Sequence, residues 1–142
     1  MYIGFRAIIG YMNIKKLQNY WFDGYKDALL TAEKLYEAKR YHHCLFFGHL
    51  ALEKLLKAVV VNKIKTHATP THDLVKLVKA TNIEISAEIL DDLAEINKFN
   101  INARYDSYKL AFYKTATKEY TIIWRLKIKK ISIWLKSKLN QK

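Results

Sequence analysis

Three short stretches carry the side chains with chemical reach. In "GHLALEKLLK", His49, Glu53 and Lys57 are spaced four and four, which sets an imidazole, a carboxylate and an amine in one line on a helix. After the single proline, Pro70, come Thr71, His72 and Asp73. Further on, "NARYDSY" places Arg104 beside Tyr105 and Asp106. A guanidinium can stack on a ring and donate forked hydrogen bonds to a phosphate, or equally to the carboxylates Glu53 or Asp73. A carboxylate four residues ahead of a lysine makes a modest ion pair on an exposed face, whereas a buried pair needs further partners. The polar line therefore reads either as an ordinary intrahelical salt bridge or as the wall of a cleft that holds Arg104 or an anion.

Other chemistries find no support. The four glycines are isolated, so no phosphate-cradling loop is present. Neither Cys-x-x-Cys nor His-Glu-x-x-His occurs, and the five histidines are scattered, so no metal site and no cofactor is expected. His42 and His43 in "RYHHC" are adjacent, and should face different sides of a helix start as surface and boundary residues. A Ser-His-Asp triad has nothing specific behind it. The single cysteine, Cys44, cannot form an internal disulfide, which fits a reducing cytoplasm.

With 142 residues, 51% of them apolar, the chain is long enough for one domain with one core. One proline and four glycines leave few hairpin turns, which favours long helices. The net charge of +12 points to RNA, an acidic protein or another anionic surface without choosing among them; lysine-, asparagine- and isoleucine-rich usage also fits an AT-rich genome. Residues 1–12 are apolar but too short to span a bilayer. They read as a peripheral N-terminal extension before a helical domain over 13–142, with no membrane segment anywhere.

The elements that must position these side chains follow from periodicity. A first helix is predicted over Ile14 to Ala38, with Leu17, Tyr20, Trp21, Gly24, Ala28, Ala32 and Leu35 as its apolar stripe. A second, Tyr41 to Lys63, is apolar on two sides: Phe47, Leu55 and Val59 on one, Leu45, Leu52 and Leu56 on the other. Such a helix is either central in a bundle or part of a dimer interface. Pro70 breaks the pattern, and Thr71 is expected to cap a short helix from His72 to Lys79. "TNIE" has capping-box spacing but could give only a turn. Ser86 should cap a fourth helix, Ala87 to Phe99, followed by an extended or irregular stretch over residues 100–113. A last helix, Thr117 to Leu139, has Tyr120, Ile123, Trp124, Ile128, Ile131 and Leu135 inward. Its other side lines up Lys118, Arg125, Lys129 and Lys136, a basic stripe that is either an RNA surface or a solvated face. The expected fold class is all-α, an up-and-down bundle of about five helices.

Taken in order, "FGHLALEKLLKAVV", "TPTHDLVKL" and "NARYDSY" resemble the small prokaryotic branch of the HEPN superfamily, over about residues 13–137. That resemblance implies a homodimer and, for many members, a minimal nucleotidyltransferase encoded nearby, the two acting as a toxin–antitoxin pair. Active members are metal-independent ribonucleases with an arginine followed, after four to six residues, by a histidine. Arg104 matches the arginine, but the corresponding positions hold Lys109, Leu110 and Ala111, and the last histidine of the chain is His72. The reading is therefore a non-catalytic or weakly catalytic partner of a nucleotidyltransferase that binds nucleotide or RNA. Its binding residues would be Arg104, Tyr105, Asp106, His72, Lys57, Glu53 and His49. One alternative is a ribonuclease toxin with a rearranged site built from Arg104 and His72. Another is a structural dimerisation module in which Arg104 only ties helices together.

Overall fold

The computed structural model describes residues 2–140, with side chains from Asn13 onward. Among these residues there are six helices and no strand: α1 (Tyr2–Glu37), α2 (Tyr41–Ile64), α3 (Leu74–Ala80), α4 (Ala87–Arg104), α5 (Asp106–Thr115) and α6 (Lys118–Leu139). The fold is the expected all-α bundle. No described helix is long and apolar enough to cross a membrane. The helix expected from Ile14 already begins at Tyr2; whether residues 1–12 are peripheral to the domain lies outside the described side chains.

The α1–α2 reversal is short because the chain enters the left-handed region at Lys39, with φ 60°. The Arg40 N–H then bonds to the Leu35 carbonyl at 2.8 Å and the Lys39 N–H to that of Tyr36 at 3.0 Å, the paired closure of a Schellman turn. On α1, Ala28 and Ala32 are buried as expected, and so is Tyr25, whereas Tyr20 points outward.

Helix α2 is the central helix, touched by α1, α3, α4, α5 and α6. Leu45, Leu52, Leu55, Leu56 and Val59 are all fully enclosed within one chain. Most of both apolar faces is thus covered within one chain, while Phe47 stays partly exposed; a central place in the bundle accounts for most of the two-sided apolarity of α2. At Gly48 a Cβ would lie 2.7 Å from Ile128 Cδ1, so this glycine is where α6 closes onto α2.

The other departures are local. Helix α3 starts two residues later than expected, and Asp73 caps it rather than Thr71, accepting from the N–H groups of Val75 at 2.9 Å and Lys76 at 3.3 Å. "TNIE" forms only a turn between α3 and α4. Ser86 caps α4 as expected, and Thr117, expected as the first residue of the last helix, caps α6 instead. The stretch expected to be irregular is instead helical: α4 continues to Arg104, Tyr105 alone is extended (φ −106°, ψ 125°), and α5 follows at once. The reason is local charge and one anchor. Asp106 opens α5 and pairs with Lys109 at 3.0 Å, complementing the helix dipole, while Phe112 stacks on Phe99 at 5.8 Å. On α6, Ile128, Ile131 and Leu135 are buried, but Ile123 faces outward.

Candidate functional site

The polar line on α2 is buried. His49, Glu53 and Lys57 are all enclosed beneath the loop that leads into α3. Glu53 meets the condition a buried carboxylate sets, that its lone pairs be occupied. One oxygen accepts from Lys57 Nζ at 3.0 Å. The other accepts from His72 Nδ1 at 2.9 Å, and His49 Nδ1 lies 3.9 Å from that same oxygen. Lys57 in turn lies over the Trp21 ring, 4.8 Å from its centroid, a contact that favours a cation. So the ion pair exists, and it lies behind His72 without itself lining the cleft.

The hydrogen bonds fix two tautomers. His49 Nε2 is 3.0 Å from the His72 carbonyl, which can only accept, so Nε2 carries the proton. Nδ1 is then free to accept from Asn100 Nδ2 at 3.5 Å. Burial holds the imidazole neutral and pushes its pKa down to about 4, against the nearby Glu53 carboxylate, which favours the charged form. In His72 the proton sits on Nδ1, facing Glu53. Nε2 has no partner among the described residues, and the side chain is 58% exposed. One imidazole holds the loop; the other is oriented and offered to solvent.

Helix α4 supplies the facing wall. Asn97, Asn100 and Arg104 recur at three and four residues and so share one side of the helix. Asn97 pins the α3 start, accepting from the Leu74 N–H at 2.9 Å and donating to Asp73 Oδ1 at 2.9 Å. Between the two walls lies a cavity of about 340 Å³ lined by His72, Asp73, Asn97, Asn100, Arg104 and Tyr105, among others. His72 and Arg104 therefore line one cleft, although they lie far apart in sequence. Arg104 is exposed, and among the described residues it forms no ion pair with Glu53, Asp73 or any other carboxylate.

A second cavity, of about 700 Å³, lies on the far side of Arg104. His42 and His43 line it together with Asp106, whose carboxylate is held by Lys109. The two histidine rings do not diverge, as adjacent positions on a helix led us to expect. Their centroids are 3.9 Å apart, because both turn toward α5, where Tyr113 meets His42 edge-on at 5.1 Å. Burial and the charges of His43 and Arg40 hold the His42 pKa below its usual value.

Two cations of the basic stripe on α6 are engaged within the chain. Arg125 Nε donates to Glu33 Oε1 at 3.0 Å, its NH2 group also engages Glu33, and Lys129 approaches the same carboxylate at 3.4 Å. Arg125 also stacks over Tyr36, and Lys136 approaches the Tyr25 ring at 6.0 Å. None of the four lines the cleft, and Arg125, Lys129 and Lys136 meet residues of α1. Asn97, Asn100, His42 and His43 complete the site and were not singled out from the sequence as binding residues; the spacing of the asparagines ahead of Arg104 was the available signal. Among the described residues no group of three or more His, Cys, Asp or Glu is placed to hold a metal ion.

The HEPN domain model matches residues 19–137, so this chain belongs to the HEPN family. The fold is similar to that in the crystal structure of TT1696 from Thermus thermophilus, with a TM-score of 0.73 at 16% identity over 85% of this chain and 97% of that one. No curated protein matches the sequence.

Proposed function

We propose that this HEPN protein binds a phosphate-bearing ligand, a nucleotide or a segment of RNA, in the cleft between the His72 loop and α4, as the partner of a minimal nucleotidyltransferase in a toxin–antitoxin-like pair. The observation that carries the ligand is the shared wall of Arg104 and His72. A guanidinium with no carboxylate partner favours an anion with several acceptor oxygens, and the unprotonated Nε2 of His72 on the same wall can accept from a ribose hydroxyl of such a ligand. Asp73 lines the same cleft, with its Oδ1 engaged by Asn97 and two backbone N–H groups. The nucleotidyltransferase partner and the homodimer rest on the family alone. Calorimetric titration with single-stranded RNA at low salt tests the ligand. Arg104→Ala should weaken binding at least tenfold with an unchanged melting temperature. Unchanged binding with a lowered melting temperature would leave Arg104 as a structural tie and overturn the reading.

The bond between Glu53 and His72 Nδ1 favours a second reading, a metal-independent ribonuclease. His72 Nε2 would take the proton of a ribose 2′-hydroxyl, O2′ would attack phosphorus, and Arg104 would stabilise the charge that develops. The departing 5′ oxygen still needs a proton, and the cleft wall holds one imidazole only. General acid–base help contributes about 100- to 10,000-fold per group, so cleavage by the purified protein should be poor. Robust metal-independent cleavage, lost in both Arg104→Ala and His72→Ala, would replace the binding reading with this one.

A further inference from the structure

We infer that the second cavity is a nucleobase subsite: the ligand whose phosphate sits at Arg104 places an unpaired base against the aromatic wall between α2 and α5. The inference rests on the phosphate reading above and extends it to the part of the ligand that the cleft does not hold. Three observations carry it. Arg104 lines both cavities, so one ligand anchored on its guanidinium can reach either side. The second cavity is walled by rings, with Phe46 and Phe47 edge-to-face at 5.5 Å and His42 packed against both His43 and Tyr113. Rings held in mixed orientations offer both faces and edges, and a base stacks on a face whatever its sequence. Its rim carries the Arg104 guanidinium beside the histidines, and the carboxylate there, Asp106, is paired with Lys109. A purely apolar occupant would leave that rim unused, whereas a nucleotide uses rings and rim together. The volume of about 700 Å³ is ample for a base and its ribose and lies within the usual range of small-ligand sites.

Calorimetric titration of the full chain with adenosine 5′-monophosphate and, separately, with ribose 5-phosphate tests this. Stacking of one base should make the mononucleotide bind about tenfold tighter or more. Tyr113→Ala should remove that advantage and leave ribose 5-phosphate binding unchanged; the residue is 62% exposed, so the variant should fold. Phe46→Ala should act in the same way from the other wall. Equal affinity for the two ligands in the parent protein, both lost in Arg104→Ala, overturns the subsite and keeps the phosphate cleft. Binding of neither ligand removes the cleft and the subsite together. A base preference that survives Tyr113→Ala, while sedimentation shows a dimer falling to monomer, gives the groove to a second copy of the chain and also overturns the inference.

Discussion

Glu53 accepts from Lys57 and His72 in a buried position, so its loss should be felt in stability before function. Glu53→Ala leaves the Lys57 ammonium enclosed with only the Trp21 ring beside it, and breaking a buried pair from one side costs about 3–5 kcal/mol. Denaturant unfolding measures this; a loss below about 1 kcal/mol would place water or another anion where Glu53 now sits. The two neighbouring imidazoles should carry opposite tautomers, with the proton on Nε2 in His49 and on Nδ1 in His72, and 15N spectra at neutral pH read them directly. His49 also gives a pH signature. Its pKa is about 4 in the fold against an ordinary 6.5, so between these values the unfolded chain binds the extra proton. The stability contributed by neutral His49 is complete above pH 6.5 and falls away as the pH drops toward 4, by about 3 kcal/mol in all. The lowered His42 pKa acts in the same direction. The difference between the parent protein and His49→Gln therefore isolates the buried ring, and parallel stability curves would show that it titrates normally. Cys44, buried and with its thiol pushed up to about 11 chiefly by that burial, should resist alkylation until the chain unfolds.

At the scale of elements, the α1–α2 turn carries a residue that its geometry does not favour. Lys39 sits at φ 60° in the left-handed position of a Schellman turn, where glycine is the usual occupant because a Cβ is crowded there. Lys39→Gly should raise stability by up to about 1 kcal/mol, the relieved strain being offset in part by the freer unfolded chain; a lower melting temperature would mean that the lysine side chain contributes more than its backbone costs. Long helices were legible in the sequence because their apolar residues recur at three and four: α2 and α6 lie where that period put them. Helix α5 was not, since only Phe112 faces the core and a single buried residue gives no period to read. For the site, Arg104 and His72 could be singled out by type, and their common cleft could not. It depends on Pro70, Asp73 and Asn97 steering a loop back over α2, a tertiary arrangement with no local signal. The inward turn of His42 and His43 depends likewise on α5, the element the pattern did not show.

The whole molecule carries a net charge of +12, and the question is which of those charges a polyanion would meet. Each phosphate neutralised on a single strand releases counterions and steepens the fall of affinity with salt by about 0.7 in the log–log slope. If all four cations of the α6 stripe were engaged, replacing Lys118, Arg125, Lys129 and Lys136 together by alanine would flatten the slope by about 2.8. Glu33, however, already holds Arg125 and Lys129, and a carboxylate that remains in place shields both from phosphate. The quadruple variant should therefore lose about 1.4 of slope or less, from Lys118 and Lys136 alone. It should also lose stability, because the Arg125–Glu33 tie between α6 and α1 goes with it. Arg104→Ala should show the converse, a large loss of affinity for only one phosphate's worth of slope, since a positioned guanidinium acts through forked hydrogen bonds as well as charge. Filter binding of single-stranded RNA across a salt series measures both variants. A slope change near about 2.8 for the stripe, with Arg104→Ala silent, would move the RNA surface from the cleft to α6.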